Sequence, residues 1–183
     1  MKVTLLGAGA WGTAMASQAA RQLREEDVCL WSRSADQLKA IAQSGENHVY
    51  LPGISLPKHL HLESDFDAAV KRLGVDDLLV IATPMSGLSE TIARVLKIAD
   101  HSLNIVWLCK GLEPTTALLP HQVVEREDQL HSHGIRHAYG ALSGPSFAHE
   151  VGSGMPCALT VASSSERLCK IVQAAFHHGN MRV

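Results

Sequence analysis

Three glycines near the N-terminus have the spacing of a phosphate-binding loop. Gly7, Gly9 and Gly12 form the pattern Gly-x-Gly-x-x-Gly. In such a loop the first glycine permits a tight turn, the second lets phosphates approach the backbone, and the third lets a helix pack closely against a strand. The free amide groups and the positive dipole end of the following helix attract anions. The spacing therefore predicts the binding of a dinucleotide pyrophosphate.

The glycine pattern carries this meaning only when it lies between a strand and a helix. Residues 3–6 are apolar and rich in β-forming side chains, which is typical of a strand buried on both faces. Residues 13–23 are dense in alanine and are predicted to form a helix. Both required elements are present, so an ordinary glycine turn is the less favoured interpretation.

Arg33 lies where such a fold places the residue that contacts the adenosine ribose. It follows the apolar residues 28–31, the predicted second parallel strand, at roughly the expected offset of twenty residues from the glycines. A carboxylate there would favour NAD, whereas a guanidinium can pair with a 2′-phosphate or stack on the adenine. We expect NADPH to be accepted at least as well as NADH. The alternative is a solvated arginine at a strand end.

Two further apolar runs end in candidate site residues. Residues 78–82 lead into Pro84, and residues 104–109 lead into Lys110. Ligands of open α/β sheets bind at the carboxyl ends of the strands, so Lys110 places a positive charge at that edge. A fixed ammonium there would stabilise the negative charge that develops on a carbonyl oxygen during reduction. The alternative for Lys110 is a solvated side chain.

Predicted strands and helices alternate along the whole chain, which indicates an α/β class with a Rossmann-like, doubly wound, mostly parallel sheet. Ser34 and Gln37 are expected to form a capping box. The proline-containing residues 47–57 are expected to form an ordered loop in which Tyr50 packs. The remaining predicted strands cover residues 61–63, 138–142 and 158–162, with a further strand beginning at 181–183, and the remaining helices cover 34–43, 65–73, 88–96, 120–130 and 165–177.

Composition narrows the possible partners. The formal net charge of -2 provides no general basic field for nucleic acid or for an anionic membrane. The sequence shows neither a leader segment nor an apolar run of the roughly 18 residues that a membrane span needs, so we expect a soluble, cytoplasmic protein. The 11 histidines lack metal-site spacing, and no metal is expected. The four cysteines are expected to be reduced and buried: Cys29, Cys109, Cys157 and Cys169.

Four separated segments together resemble one enzyme family. Residues 10–13, 47–57, 109–112 and 143–150 have the order and spacing found in NAD(P)-dependent glycerol-3-phosphate dehydrogenases. The resemblance runs over the whole chain, and the joint pattern is specific although each segment alone is weak. It implies reduction of dihydroxyacetone phosphate by NADPH or NADH to sn-glycerol 3-phosphate, for glycerophospholipid synthesis.

The resemblance also implies roles for individual residues. Lys110 would contact cofactor and substrate together, and Ala148 would lie near the nicotinamide end of the cofactor. The substrate would contact Lys110, Gly144 and Ser146. With the glycine loop and Pro84 included, the expected cofactor-binding set is Gly7, Gly9, Ala10, Trp11, Gly12, Arg33, Pro84, Lys110 and Ala148.

Enzymes of this family have a second, α-helical domain that supplies the principal proton donor, a further lysine. The resemblance therefore implies that residues 1–183 are the N-terminal NAD(P)-binding domain, that the C-terminal substrate domain is missing, and that the main proton donor lies beyond Val183. We expect such a chain to bind nucleotide without turnover and to expose an apolar docking patch of several hundred Å². The full-length protein is expected to form a homodimer.

Two other function classes remain open at this point. One is a different Rossmann-type hydroxyacid dehydrogenase, such as a ketopantoate or 6-phosphogluconate enzyme, which substrate screening would distinguish. The other is a non-enzymatic module that senses NAD(P) and is complete as it stands. Lys110 at the predicted sheet edge favours an enzyme over a sensor.

Overall fold

A seven-stranded sheet organises the protein, as seen in a computed structural model that describes residues 1–24 and 27–183. The strands are β1 (Val3–Leu6), β2 (Val28–Trp31), β3 (Glu46–Asn47), β4 (Leu51–Ser55), β5 (His61–Glu63), β6 (Leu78–Ile81), β7 (Asn104–Trp107), β8 (Ala138–Ser143), β9 (Cys157–Ala158), β10 (Thr160–Ser163) and β11 (Met181–Arg182). The helices are α1 (Ala10–Gln22), α2 (Ala35–Ser44), α3 (Phe66–Lys71), α4 (Leu88–Ile98), α5 (Pro120–His131), α6 (Ala148–Gly152) and α7 (Glu166–Phe176).

The strand order in the main sheet is β10-β8-β7-β6-β1-β2-β5. All neighbours pair in parallel except β10, which runs antiparallel to β8. Leu6 at the end of β1 is in register with Trp31 on one side and with Ile81 on the other. The carboxyl ends of these three strands therefore meet at one edge of the sheet. This topology confirms the predicted Rossmann-like, mostly parallel architecture.

Helices cover both faces of the sheet, which is why the central strands are buried and almost entirely apolar. Val3 and Leu5 of β1 face an apolar layer built with α1, α2, α6 and α7. Leu6 faces a second layer built with α3, α4 and α5. Thr4 also points toward the second layer, where its hydroxyl donates to the Ala69 carbonyl of α3 at 3.0 Å.

Helix α1 begins at Ala10, three residues earlier than predicted. Gly9 is its N-cap in an extended conformation, and its carbonyl accepts the first helical bond from the Thr13 amide at 2.9 Å. A Cβ added to Gly12 would lie 1.9 Å from the Gly7 carbonyl oxygen. Gly7 has a φ of +125°, and a Cβ there would lie 2.9 Å from the Ala82 carbonyl carbon. Both positions accept only glycine, because backbone occupies the space of a side chain.

Residues 47–57 were predicted to form an ordered loop without a regular element, but the structure places strands in this segment. They contribute to an antiparallel hairpin of β3 and β4, in which Asn47 is in register with Leu51. Prolines are compatible with a hairpin of two strands because both strands have an edge that needs no amide donor. Tyr50 lies in the turn and is 52% exposed, so the prediction that it packs was wrong.

The predicted strand at residues 181–183 is confirmed as β11, which ends at Arg182 and pairs in parallel with β9. Val183 follows this strand and packs against the apolar layer that α7 helps to build. Its amide donates to His177 Nδ1 at 3.3 Å, and its carbonyl accepts from Gln173 Nε2 at 3.3 Å. The segment is thus held between β9 and the end of α7, outside the seven-stranded sheet.

Gly12→Ala should destabilise the fold by roughly 2 kcal/mol or more, because the new methyl group collides with backbone that cannot move away. Replacing glycine by alanine inside a helix normally stabilises a protein by about 1 kcal/mol. The expected change in the free energy of unfolding therefore has the opposite sign here. Urea unfolding followed by circular dichroism measures the difference. Gly9→Ala is the control: a Cβ there meets nothing within 4 Å, so the free energy of unfolding should change by less than about 1 kcal/mol. Equal stabilities of the two variants would contradict the prediction.

Candidate functional site

The N-terminus of α1 offers backbone donors at the carboxyl edge of the sheet. No side chain caps this helix, and its first turn contains no acidic residue. Helix geometry leaves the first amide groups without intrahelical acceptors. A Cβ added to Gly9 would meet nothing within 4 Å, so the space beside the loop is open. An uncapped, positively polarised and open helix end fits the pyrophosphate of a dinucleotide.

Two amide side chains donate hydrogen bonds to a main-chain carbonyl of the glycine loop. The Ala8 carbonyl accepts from Gln37 Nε2 at 2.7 Å and from Asn47 Nδ2 at 3.0 Å. Ser34 caps α2 as predicted, because its Oγ accepts from the Gln37 amide at 3.2 Å. The Gln37 side chain, however, does not close the predicted capping box, since it is used to bind the glycine loop. The roles of Gln37 and Asn47 were missed because they depend on long-range contacts.

The pairing of β1 with β2 places Arg33 beside the glycine loop. The Gly7 amide donates to the Trp31 carbonyl at 3.0 Å, so the chain leaves β2 next to the loop. Arg33 follows two residues later and is exposed. In the described part of the chain its guanidinium makes no hydrogen bond or ion pair. It is therefore available to an anion at this edge.

Pro84 lies on the other side of the glycine loop. The Ala82 amide donates to the Leu6 carbonyl at 2.9 Å, which brings the end of β6 against the end of β1. Pro84 follows two residues later, is exposed, and precedes the short turn that leads into α4. The expected cofactor contacts at positions 33 and 84 thus flank the loop on the two strands adjacent to β1.

Lys110 lies close to two other predicted site residues, Gly144 and Trp11, which come from distant parts of the chain. Its Nζ donates to the Gly144 carbonyl at 3.0 Å, and its side chain is exposed. A narrow cleft joins Lys110 and Gly144 to Trp11, with Leu108, Leu142, Ser143 and Leu159 completing its walls. The ammonium is thus fixed by a main-chain acceptor next to the first turn of α1.

The segment after β8 depends on a close backbone approach. A Cβ on Gly144 would lie 2.5 Å from the Ala158 carbonyl oxygen, so only glycine fits. Ser146 lies near the same carbonyl, to which its Oγ donates at 3.5 Å, and Ala148 begins the short helix α6. The sequence pattern did not predict this helix.

Two polar side chains of α1 hold α6 in place. The Gln18 amide donates to the Val151 carbonyl, and the Arg21 guanidinium donates to the Gly152 carbonyl at 2.9 Å. These bonds satisfy carbonyl groups at the end of a short helix that has few internal hydrogen bonds. They bring Ala148 toward the face of the sheet that also carries Trp11.

The connection that carries Lys110 is anchored by an ionic cluster. Arg126 of α5 donates to the Glu113 carboxylate at 3.0 and 3.1 Å and to Glu127 at 2.9 Å. The hydrogen bond from Arg126, together with one from Thr116, holds the pKa of the Glu113 carboxyl below its usual range. Arg126 also reaches Ser89 of α4 at 3.1 Å. The loop between β7 and α5 is thereby tied to both neighbouring helices.

A larger open cavity of about 780 Å³ lies between α5 and the strands β8 and β10, next to Lys110. Tyr139 lines it and donates to Asp128, and burial raises the pKa of the Tyr139 hydroxyl. Leu112 and Leu119 also line this cavity, and both are large apolar residues exposed to solvent. An apolar surface of this kind is typical of a face that another structural unit covers.

The main proton donor was expected to lie beyond Val183, the last residue of the chain. Val183 itself lies away from the candidate site. It lies after β11 and contacts α7, whereas Lys110 and the glycine loop lie at the carboxyl edge of the main sheet. The expectation that the donor lies beyond Val183 therefore concerns chain outside residues 1–183, and it stays a prediction.

All four cysteines are free, as predicted. Burial raises the pKa of the Cys29 thiol to about 11. The other three had also been predicted to be buried, but Cys109, Cys157 and Cys169 are only partly buried. Cys109 lies after the end of β7 rather than within the strand, which accounts for its exposure.

Two further expectations concern metals and membranes. Among the described residues no group of three or more histidine, cysteine or acidic side chains is arranged to hold a metal ion. The helices within residues 1–24 and 27–183 are all too short or too polar to cross a membrane.

Comparisons with known proteins agree with this geometry. A family model described as the NAD-dependent glycerol-3-phosphate dehydrogenase N-terminus matches residues 2–169. A protein of Polynucleobacter necessarius named glycerol-3-phosphate dehydrogenase (NAD(P)+) is 77% identical over 183 residues, which are all of this chain and 54% of that protein. A protein of the same name from Polynucleobacter asymbioticus is 74% identical with the same coverage.

A solved structure gives the same result at the level of the fold. The crystal structure of glycerol-3-phosphate dehydrogenase from Coxiella burnetii matches with a TM-score of 0.86 and 31% identity, over 100% of this chain and 52% of that one. The chain spans about half the length of the curated relatives it matches. Because the family model covers most of the sequence, the chain belongs to the NAD-dependent glycerol-3-phosphate dehydrogenase family, of which it matches the N-terminal part.

Proposed function

We propose that residues 1–183 form the NAD(P)-binding domain of a glycerol-3-phosphate dehydrogenase and accept NADPH or NADH. The observation that carries this proposal is the open, uncapped end of α1 beside an ammonium group fixed at 3.0 Å from a main-chain carbonyl. The first feature suits a dinucleotide pyrophosphate, and the second suits a carbonyl that gains negative charge. The two features share one edge of the sheet.

Different residues around the loop contact different parts of the cofactor. The backbone of the loop binds the pyrophosphate, Arg33 binds the adenosine ribose or its 2′-phosphate, and Trp11 covers the nicotinamide side. A nicotinamide cofactor, when bound, supplies the two electrons and the hydrogen of a carbonyl reduction. The proposed cofactor contacts are Gly7, Gly9, Ala10, Trp11, Gly12, Arg33, Pro84, Lys110 and Ala148.

Lys110, Gly144 and Ser146 are the proposed contacts of dihydroxyacetone phosphate. The Gly144 carbonyl orients the Lys110 ammonium, which then stabilises negative charge on the substrate oxygen. The main proton donor is assigned to the half of the longer relatives that this chain does not match, beyond the position that corresponds to Val183. The large apolar cavity next to Lys110 is assigned to contact with that half.

The proposal places the whole protein in the cytoplasm as a homodimer, and both of these features stay predictions. The alternatives of a ketopantoate or 6-phosphogluconate enzyme and of a nucleotide-sensing module are not favoured. The family match and the high identity to named glycerol-3-phosphate dehydrogenases count against them.

Gly9→Ala should weaken NADPH binding by about tenfold or more, because the added methyl group occupies space that the phosphates need. Calorimetric titration of the 183-residue chain with NADPH measures the dissociation constant. The matched control is Gly74→Ala, at the opposite edge of the sheet, where a Cβ would make only an ordinary 3.7 Å contact with Asp77. That variant should bind like the wild type. Absence of NADPH and NADH binding to the wild type would overturn the proposed function.

Arg33→Ala should lower NADPH affinity by roughly 10- to 100-fold and should change NADH affinity much less. The reason is that the guanidinium forms charge-assisted bonds with the 2′-phosphate that NADH lacks. Parallel titrations with the two cofactors give the ratio of the dissociation constants. Arg136→Ala removes an exposed guanidinium just before β8, away from the loop, and serves as the control. Unchanged NADPH binding in the Arg33 variant would show that this residue is only solvated.

Residues 1–183 alone should not reduce dihydroxyacetone phosphate at a substantial rate, because the proposed proton donor lies elsewhere. The oxidation of NADPH, followed by absorbance with and without dihydroxyacetone phosphate, measures turnover. A Lys110→Ala variant, measured in parallel, separates residual catalysis at this site from background oxidation. Substantial turnover that depends on Lys110 would contradict the two-domain assignment.

A further inference from the structure

Asn47 connects the two ends of the glycine loop. Its side chain is 1% exposed, and its Nδ2 donates both to the Ala8 carbonyl at 3.0 Å and to the Thr13 hydroxyl at 2.8 Å. Ala8 lies just before Gly9, and Thr13 lies just after Gly12. Asn47 comes from the hairpin of β3 and β4 and therefore reaches the loop from outside the strand–loop–helix unit.

Gln37 adds a second donor to the same carbonyl. Its Nε2 lies 2.7 Å from the Ala8 oxygen, and its own Oε1 accepts from the Ser32 hydroxyl at 2.7 Å. The Ser32 bond orients the Gln37 amide, so that the nitrogen faces Ala8. Both lone pairs of the Ala8 carbonyl are thus occupied by amide donors on one side of the loop.

The planarity of the peptide bond transmits this constraint to Gly9. In a trans peptide the carbonyl of one residue and the amide of the next point in opposite directions. Because the Ala8 carbonyl points at Gln37 and Asn47, the Gly9 amide points away from them. No described residue accepts a hydrogen bond from this amide, and the space around Gly9 is open. A rotated peptide would instead direct a carbonyl dipole toward the bound phosphates and repel them.

We propose that Asn47, assisted by Gln37, is a positioning residue for the cofactor pyrophosphate. It fixes the Ala8–Gly9 peptide so that the Gly9 amide is presented to the phosphates before the ligand arrives. This inference rests on the proposed function, because it requires a dinucleotide at the loop. Preorganised donors of this kind bind an anion without the cost of ordering the loop.

Asn104 provides a control for a purely structural role. It is also a buried asparagine, 3% exposed, and its Nδ2 also donates to two acceptors, the carbonyls of Val75 and Asp77, both at 2.9 Å. It begins β7, at the edge of the sheet opposite the glycine loop. Asn47→Ala and Asn104→Ala therefore delete the same side chain and the same number of hydrogen bonds. They differ in whether those bonds hold the glycine loop.

The test is calorimetric titration of wild type, Asn47→Ala and Asn104→Ala with NADPH and with adenosine 2′-monophosphate, which has no pyrophosphate. We expect Asn47→Ala to weaken NADPH binding by about tenfold or more and to change binding of the monophosphate by less than about threefold. Asn104→Ala should leave both dissociation constants unchanged although its melting temperature falls. Gln37→Leu removes one donor to the Ala8 carbonyl and the acceptor of the Ser32 hydroxyl, at the partly exposed start of α2. It should show the same selective loss if Asn47→Ala does not fold.

Two results would overturn the positioning role while leaving the proposed function intact. One is an NADPH affinity in the variants that lies within about threefold of the wild type. The other is an equal loss of NADPH and monophosphate binding, which indicates a general collapse of the site. Failure of the wild type to bind NADPH at all would instead overturn the proposed function, and the positioning role with it.

Discussion

The close approach of α1 to the end of β1 is the constraint on which the rest of the structure depends. The helix begins at Ala10 with Gly12 so near the Gly7 carbonyl that a Cβ would lie 1.9 Å from the oxygen. This approach places the uncapped helix end directly at the edge of the sheet. The free amide groups are therefore concentrated where the neighbouring strands end. A larger residue at Gly12 would move the helix away and so displace its uncapped end from this edge, together with the loss of packing.

Parallel pairing then gathers the remaining site groups at the same edge. Arg33 and Pro84 follow the two strands adjacent to β1, and Lys110 follows the next strand outward. Each strand end adds one chemical group: a guanidinium, a small apolar ring or an ammonium. Lys110 also reaches the Gly144 carbonyl beyond β8 and so connects the cofactor side to the proposed substrate side. Antiparallel pairing among β2, β1, β6 and β7 would instead have sent the ends of neighbouring strands to opposite edges.

Side-chain donors that bind main-chain carbonyls complete the site. Gln18 and Arg21 bind the end of α6, and Gln37 and Asn47 bind the Ala8 carbonyl of the glycine loop. Buried carbonyls need partners, and each of these bonds also fixes the orientation of a peptide. Such bonds occur twice in this fold: they attach the short helix α6 to α1, and they hold the glycine loop. In the loop, these contacts set the direction of the Ala8 carbonyl.

The sequence by itself determined the features that depend on local patterns. The glycine spacing, the apolar runs and the alternation of strands and helices predicted the fold, and the ends of β2, β6 and β7 predicted where Arg33, Pro84 and Lys110 lie. The contact of the β3–β4 hairpin with Ala8, the attachment of helix α6 to α1 and the use of Gln37 were decided only by tertiary structure. Their hydrogen bonds join residues up to 133 positions apart, as between Gln18 and Val151. Such contacts leave no periodic signal in the sequence, because their partners become neighbours only after the sheet has formed.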